Sequence, residues 1–169
     1  MGSDFSRKGL DRAILGISHL LKQNISATLL VLGDDDKGPY EKTIKELSLN
    51  DRVIFLGPRK DVASFMKSSH LLVHPAREEA AGNIIIEALV SGLPSLVSSE
   101  VGFSAEVLKH KSGMVVEGEF KQERFNFLLE ESLSYEKLTS VRDIIKPLAS
   151  NNYFYSRFNF VADFIEEAF

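Results

Sequence analysis

The 169-residue chain contains no cysteine. That excludes disulfides, thiolate metal sites and cysteine nucleophiles, and it fits a reducing, cytoplasmic setting. No apolar run approaches the ~18 residues that a membrane-crossing helix requires, and no secretory pattern is visible. Positive charge is not in excess. Twenty Lys and Arg stand against 24 Asp and Glu, for a formal net charge of −4, so there is no overall basic footprint for nucleic acid. Three motifs are also missing: a Gly-x-Gly-x-x-Gly after a strand, a Gly-x-x-x-x-Gly-Lys-Ser/Thr loop and a Gly-x-Ser-x-Gly elbow. Dinucleotide, P-loop and serine-hydrolase readings lose their signatures accordingly. No internal repeat or low-complexity linker divides the chain.

What remains is the composition of an ordinary globular domain, 44% hydrophobic and 26% charged, of a length that suits one domain over residues 1–169. Leu10, Ile14, Ile17 and Leu21 recur at helical spacing, predicting a helix over 8–22. Short apolar runs over 27–32, 52–56, 71–74, 95–98 and 113–117 predict strands. Helical segments over 40–49, 61–68, 83–91 and 104–110 separate them, and Asp61 stands where it can cap its helix. Helices are expected from Lys121 onward. Strand–helix alternation with short connections predicts an α/β fold: a Rossmann-like, doubly wound parallel sheet of about six strands, with helices on both faces and a C-terminal helical tail. In such sheets ligands gather at the carboxyl ends of the strands. The tail, 153–169, is rich in aromatics at helical spacing, with Phe154, Phe158, Val161 and Ile165 in one row. A helix so widely apolar needs cover.

Residues 72–98 concentrate the chemistry. A strand ends at His74-Pro75, and a loop carries Glu78 and Glu79. Ala80-Ala81-Gly82 then opens an apolar helix containing Glu87, and Gly92-Leu93-Pro94 stops it. Small residues let a ligand approach the backbone closely, and the amides of Asn83 and Ile84 in the first turn favour an anion such as phosphate. A carboxylate can hold both hydroxyls of a vicinal diol, which suits Glu79 and Glu87 to ribose or hexose. Glu87, within an otherwise apolar helix, is expected to need a partner. Arg7 and Lys8, before the first helix, suit a pyrophosphate. Asp34-Asp35-Asp36 contains metal-ligand residue types, but in a Gly-Pro loop such a run reads as solvated turn. Solvated or structural roles for these residues stay open on chemistry alone.

In these residues the chain resembles the C-terminal, donor-binding half of retaining GT-B glycosyltransferases of family 4. The resemblance rests on Glu79-x7-Glu87, followed by Ala88 and Gly92-Leu93-Pro94, with Arg7-Lys8-Gly9 and Phe55-Leu56-Gly57 upstream. It is closer still to the lipopolysaccharide core glucosyltransferase I type, through Asp4 to Gly9 and the His-Pro-Ala and Glu-Ala-Ala-Gly of His74 to Gly82. It covers most of residues 2–118. It implies that Glu87 holds the ribose of a nucleoside-diphosphate sugar, UDP-glucose by the subgroup, and that Glu79 contacts the hexose. Amides around Ala80, Ala81, Gly82, Asn83 and Ile84 would bind the distal phosphate. Arg7 and Lys8 would neutralise the leaving diphosphate, and backbone near Pro58 and Arg59 would meet the base. No metal or other cofactor is expected.

The acceptor, a glycan or lipid-linked molecule, would bind an N-terminal domain outside this chain. Residues 153–169 are expected to cross toward that domain, or to self-associate in its absence. The parent enzyme is expected in the cytoplasm, at the inner face of a membrane. Two alternatives are a nucleotide-sugar-binding module without transfer and an α/β protein-interaction domain.

Overall fold

The computed structural model describes residues 4–149; the expectations for residues 153–169 lie outside them. Helices and strands alternate in the order expected. They are α1 (Leu10–Lys22), β1 (Leu29–Leu32), α2 (Gly38–Glu46), β2 (Val53–Gly57), α3 (Val62–Ser68), β3 (Leu72–His74), α4 (Asn83–Val90), β4 (Ser95–Ser98), α5 (Ser104–Lys109), β5 (Gly113–Val116), α6 (Gln122–Ser132) and α7 (Tyr135–Ala149). The expected strand ends shift by two residues at most.

Every strand pair is parallel. Alternation along β4 and β5 shows that the layering is doubly wound. Leu96 and Val116 belong to the core beneath α1 and α6, with Leu10, Ile14, Phe125 and Leu129. Their neighbours Val97 and Val115 belong to a second core beneath α4 and α5, with Ile85 and Val107. Successive strand side chains point to opposite faces, so a sheet apolar at consecutive positions must be covered twice. All four residues of β4 are buried, as its central place requires. Helix α7 packs outside this layer, where Val141 and Ile145 meet Ile86 and Leu89 of α4.

The sheet differs from the expected one in one respect. Five strands are present among the described residues, in two hydrogen-bonded groups, β1–β2 and β3–β4–β5. No ladder joins β1 to β3, although both groups share the core cluster under α1 and α6. Asp61 also departs from its expected role. It precedes α3 but makes no side-chain cap. Its carboxylate instead accepts from Arg59 Nε and Nη2 at 2.9 and 2.8 Å, because a bidentate, charge-assisted pair outcompetes a single bond to a backbone amide.

Candidate functional site

Two glycines in the left-handed region stand at the two helix starts that frame the site. Gly9 (φ 74°) precedes α1, and Gly82 (φ 76°) precedes α4. A Cβ on Gly9 would lie 2.1 Å from Pro75 O, so only glycine lets α1 start against the end of β3. A Cβ on Gly82 would lie 2.2 Å from Val101 Cγ1. The Glu79–Gly82 loop is fastened along that same side. Glu79 N donates to Glu100 O, Gly102 N to Glu79 O and Phe103 N to Ala81 O. The connection after β4 thus forms a floor under the loop that follows β3.

This packing brings the first helix to the loop. Lys8 Nζ lies 2.7 Å from Glu79 Oε2, and Arg7 Nη1 lies 3.4 Å from the same oxygen. Arg7 also donates to Glu78 O and, through Nε, to Asp4 Oδ2, both at 2.9 Å. The Lys8 hydrogen bond outweighs partial burial and holds the Glu79 carboxyl below its ordinary pKa. Lys8, Glu79, Ala81, Gly82, Asn83, Ile84 and Glu87 line one cleft of about 290 Å³, joined by Val62. Asn83 and Glu87 are four residues apart, on the exposed face of α4. Glu87 therefore looks into the cleft. It needs no buried partner, contrary to the expectation from its apolar neighbours, because those neighbours occupy the other faces: Ile85, Ile86, Ala88 and Leu89 are buried. Gly82 supplies no side-chain cap, so the amides that open α4 at Asn83 and Ile84, both lining the cleft, have no acceptor within the helix.

Four expected residues, Arg7, Pro58, Arg59 and Ala80, do not line this cleft. Ala80 is exposed on the loop beside it. Pro58 and Arg59 follow β2 and lead to α3, whose Val62 does line it, while the Arg59 side chain is engaged with Asp61 and lies 5.2 Å from the Phe65 ring centroid. Arg7 reaches the site through Glu79.

Several supporting residues escape a linear reading. Arg12 stacks on Phe120 at 3.8 Å and donates to Pro75 O and Ala76 O at 3.0 and 3.2 Å, tying off the end of β3. Its place four residues after Lys8 was the available signal. Asp35, in the supposed solvated run, accepts from Phe5 N at 2.6 Å and so fixes the segment that carries Arg7 and Lys8. Arg77 makes a bidentate pair with Asp11 at 2.8 and 2.7 Å. His74 is 2% exposed, and burial pushes its pKa down from 6.5 to about 4. Its Nε2 has no hydrogen-bond partner and sits 3.9 Å from Glu79 Oε2. At neutral pH that contact is between a neutral imidazole and a carboxylate. Among the described residues no group of three or more His, Asp or Glu could hold a metal ion, and no helix is long and apolar enough to cross a membrane.

The cleft thus offers a cation, two carboxylates and free helix amides at the carboxyl edge of a parallel sheet. Known proteins share this framework. A family model described as glycosyl transferases group 1 matches residues 1–145. Lipopolysaccharide glucosyltransferase WaaG of Escherichia coli (strain K12) is 36% identical over 139 residues, 82% of this chain and 37% of that protein. A crystal structure of WaaG, a glycosyltransferase involved in lipopolysaccharide biosynthesis, superposes with a TM-score of 0.87 at 33% identity, over 98% of this chain and 45% of its own. Anabaena Alr3699/HepE in complex with UDP-glucose superposes with a TM-score of 0.76 at 21% identity, over 98% and 48% of the two chains, a likeness of fold alone. The chain spans less than half the length of each of these proteins, and with its matched residues covering both helix starts and the loop between them, it belongs to the glycosyl transferases group 1 family.

Proposed function

We propose that this chain is the donor-binding domain of a retaining glycosyltransferase that takes a nucleoside-diphosphate sugar, UDP-glucose in the first instance. The observation that carries this reading is the convergence of Lys8, Glu79, the Gly82–Ile84 turn and Glu87 on one cleft. Those groups match the parts of such a donor. Glu87 accepts from the ribose hydroxyls, and Glu79 accepts from hydroxyls of the hexose. Amides at the start of α4 hold the distal phosphate, where the helix dipole favours negative charge. Lys8 and Arg7 neutralise the diphosphate as the glycosidic bond breaks and charge develops on it. The base lies toward Pro58 and Arg59. With cations and amides in that role, the reaction proceeds without a metal. WaaG is a glycosyltransferase involved in lipopolysaccharide biosynthesis. By analogy the parent acts on a glycan or lipid-linked acceptor, held by a further domain at the cytoplasmic face of a membrane.

The chain alone, on this reading, binds donor and does not transfer sugar. Titration with UDP-glucose, UDP and GDP, followed by calorimetry and thermal unfolding, tests it. UDP-glucose is expected to stabilise the chain, and Glu87→Ala is expected to weaken binding by about 10–100-fold, the range for a hydrogen bond to a charged group. Indifference to all three nucleotides would overturn the reading. Transfer by the chain alone would overturn its restriction to donor binding.

A further inference from the structure

Among the described residues two buried side-chain polar atoms have no hydrogen-bond partner, His74 Nε2 and Ser132 Oγ. Ser132 ends α6, outside the lining of the cleft, and a hydroxyl turns freely toward any nearby acceptor. The His74 ring has no such freedom. A fixed nitrogen buried without a partner is unfavourable, and this one stands beside Glu79.

The aim of the ring follows from the strand that carries it. Leu72 and His74 are two residues apart in β3 and so share one face of the sheet. Leu72 packs with Ala88 of α4 and with Leu93 just beyond it. His74 pairs in register with Val97, which belongs to the same core as Ile85 of α4. An apolar side chain would suit the covered face at position 74, as Leu72 and Val97 do. The histidine instead places Nε2 3.9 Å from Glu79 Oε2.

Glu79 is shared unequally among its neighbours. Its Oε2 lies 2.7 Å from Lys8 Nζ and 3.4 Å from Arg7 Nη1, but stops 3.9 Å short of His74. The two cations draw the carboxylate toward α1. The backbone of Glu79 is fixed on both sides, since its N donates to Glu100 O and its O accepts from Gly102 N. Only the side chain can swing, and about 1 Å of travel converts the 3.9 Å contact into a hydrogen bond. Burial keeps the ring neutral at ordinary pH. Beside a carboxylate the ring proton belongs on Nε2, because a lone pair there would face negative charge. A neutral donor leaves the carboxylate its charge and its remaining lone pairs.

We propose that His74 is a positioning residue: its Nε2–H takes over the Glu79 carboxylate when Lys8 leaves it for the diphosphate, and so holds the other carboxylate oxygen toward the hexose hydroxyls. The identity of the ligand rests on the donor-binding reading above, whereas the exchange of partners rests on the geometry of the three side chains. His74 is 2% exposed, so it acts through Glu79 and not on the sugar.

Two measurements on the 169-residue chain test this. Nitrogen-edited NMR of the histidine rings, without nucleotide, follows the His74 Nε2 proton in Lys8→Met, where the competing donor is gone. The proton is expected to move downfield and to exchange about 10-fold more slowly than in the unsubstituted chain, and adding Glu79→Ala should reverse both changes. An unchanged Nε2 signal in Lys8→Met, or a proton on Nδ1 in its place, would overturn the proposal whatever the chain binds. Calorimetry then compares UDP-glucose with UDP. His74→Leu should weaken UDP-glucose by about 10-fold and UDP by less than about 2-fold, because Glu79 serves only the hexose, and His74→Gln, which retains an N–H donor, should recover most of the loss. Equal losses for the two ligands mark a merely structural role and sink the idea. Should His74→Leu not fold, the ring spectra of Lys8→Met still decide. A chain indifferent to both nucleotides that nevertheless shows the exchange in Lys8→Met would retire the donor reading and leave the His74–Glu79 exchange standing.

Discussion

Lys8 Nζ and Glu79 Oε2 lie 2.7 Å apart across 71 positions of sequence. The pair joins the start of the first helix to the loop after the third strand, and both side chains are 18% exposed. Lysine parked on a carboxylate is available to a phosphate once a ligand enters. Replacing Lys8 with Met should therefore weaken UDP binding by about 10-fold or more, the loss of one charge-assisted contact. It should change stability by less than about 1 kcal/mol, because a partly exposed pair contributes little. Calorimetric titration and urea unfolding of the same variant separate the two effects.

The two left-handed glycines predict a contrast. Gly9→Ala places a methyl 2.1 Å from Pro75 O, with backbone on both sides of the clash. It should cost about 2–4 kcal/mol, combining left-handed strain with overpacking. Nucleotide affinity should fall as well, since Lys8 moves with the helix start. Gly57→Ala, at φ 66° with nothing within 4 Å, should cost only the strain, about 1–2 kcal/mol. Urea midpoints of the two variants check the ordering.

Acid should destabilise the domain in two windows. His74 in the folded state resists protonation down to about pH 4 because it is buried, whereas an unfolded imidazole takes a proton near 6.5. Stability is thus fully present above about pH 6.5 and declines as pH falls toward 4, by roughly 3 kcal/mol in total. Glu79 acts lower. Its pKa is depressed below the ordinary 4.5 by Lys8, so its contribution is present above that value and is lost as pH falls through the folded one. Urea unfolding at several pH values should show the first slope in the unsubstituted chain and not in His74→Asn.

Arg77 and Asp11 form a bidentate pair, but their side chains are 41% and 44% exposed. Solvent screening limits the coupling to about 0.5–1 kcal/mol despite good geometry. A double-mutant cycle with Arg77→Ala and Asp11→Ala measures it, and it should shrink with added salt.

Glu79 and Glu87 were legible in the sequence as a pair because motif spacing fixes which residues open a loop and which follow a helical turn later. The positions of all five strands were legible for a related reason: short apolar runs between turn residues have few other uses in a chain this size. Arg12, Asp35 and Val62 were not legible. Each acts on a partner far away in sequence, and nothing in local periodicity states which partner that is. Glu87 departs from the expectation for a local reason. An apolar neighbourhood in sequence is not one in space, because residues 85, 86, 88 and 89 turn to other faces of the helix.

By itself the sequence determined the alternation of strands and helices, the chemistry of the loop at residues 79–82 and the family to which that chemistry belongs, since these depend on propensity, patterning and spacing along the chain. Tertiary structure alone decided that Lys8 meets Glu79, that Asp35 holds Phe5 and that His74 is buried and neutral beside the cleft. It also decided that β1 and β3 stand apart. These outcomes turn on which backbones approach closely enough to pair, and that is set by Gly9 against Pro75 and by helices covering both faces, through contacts between residues remote in the chain.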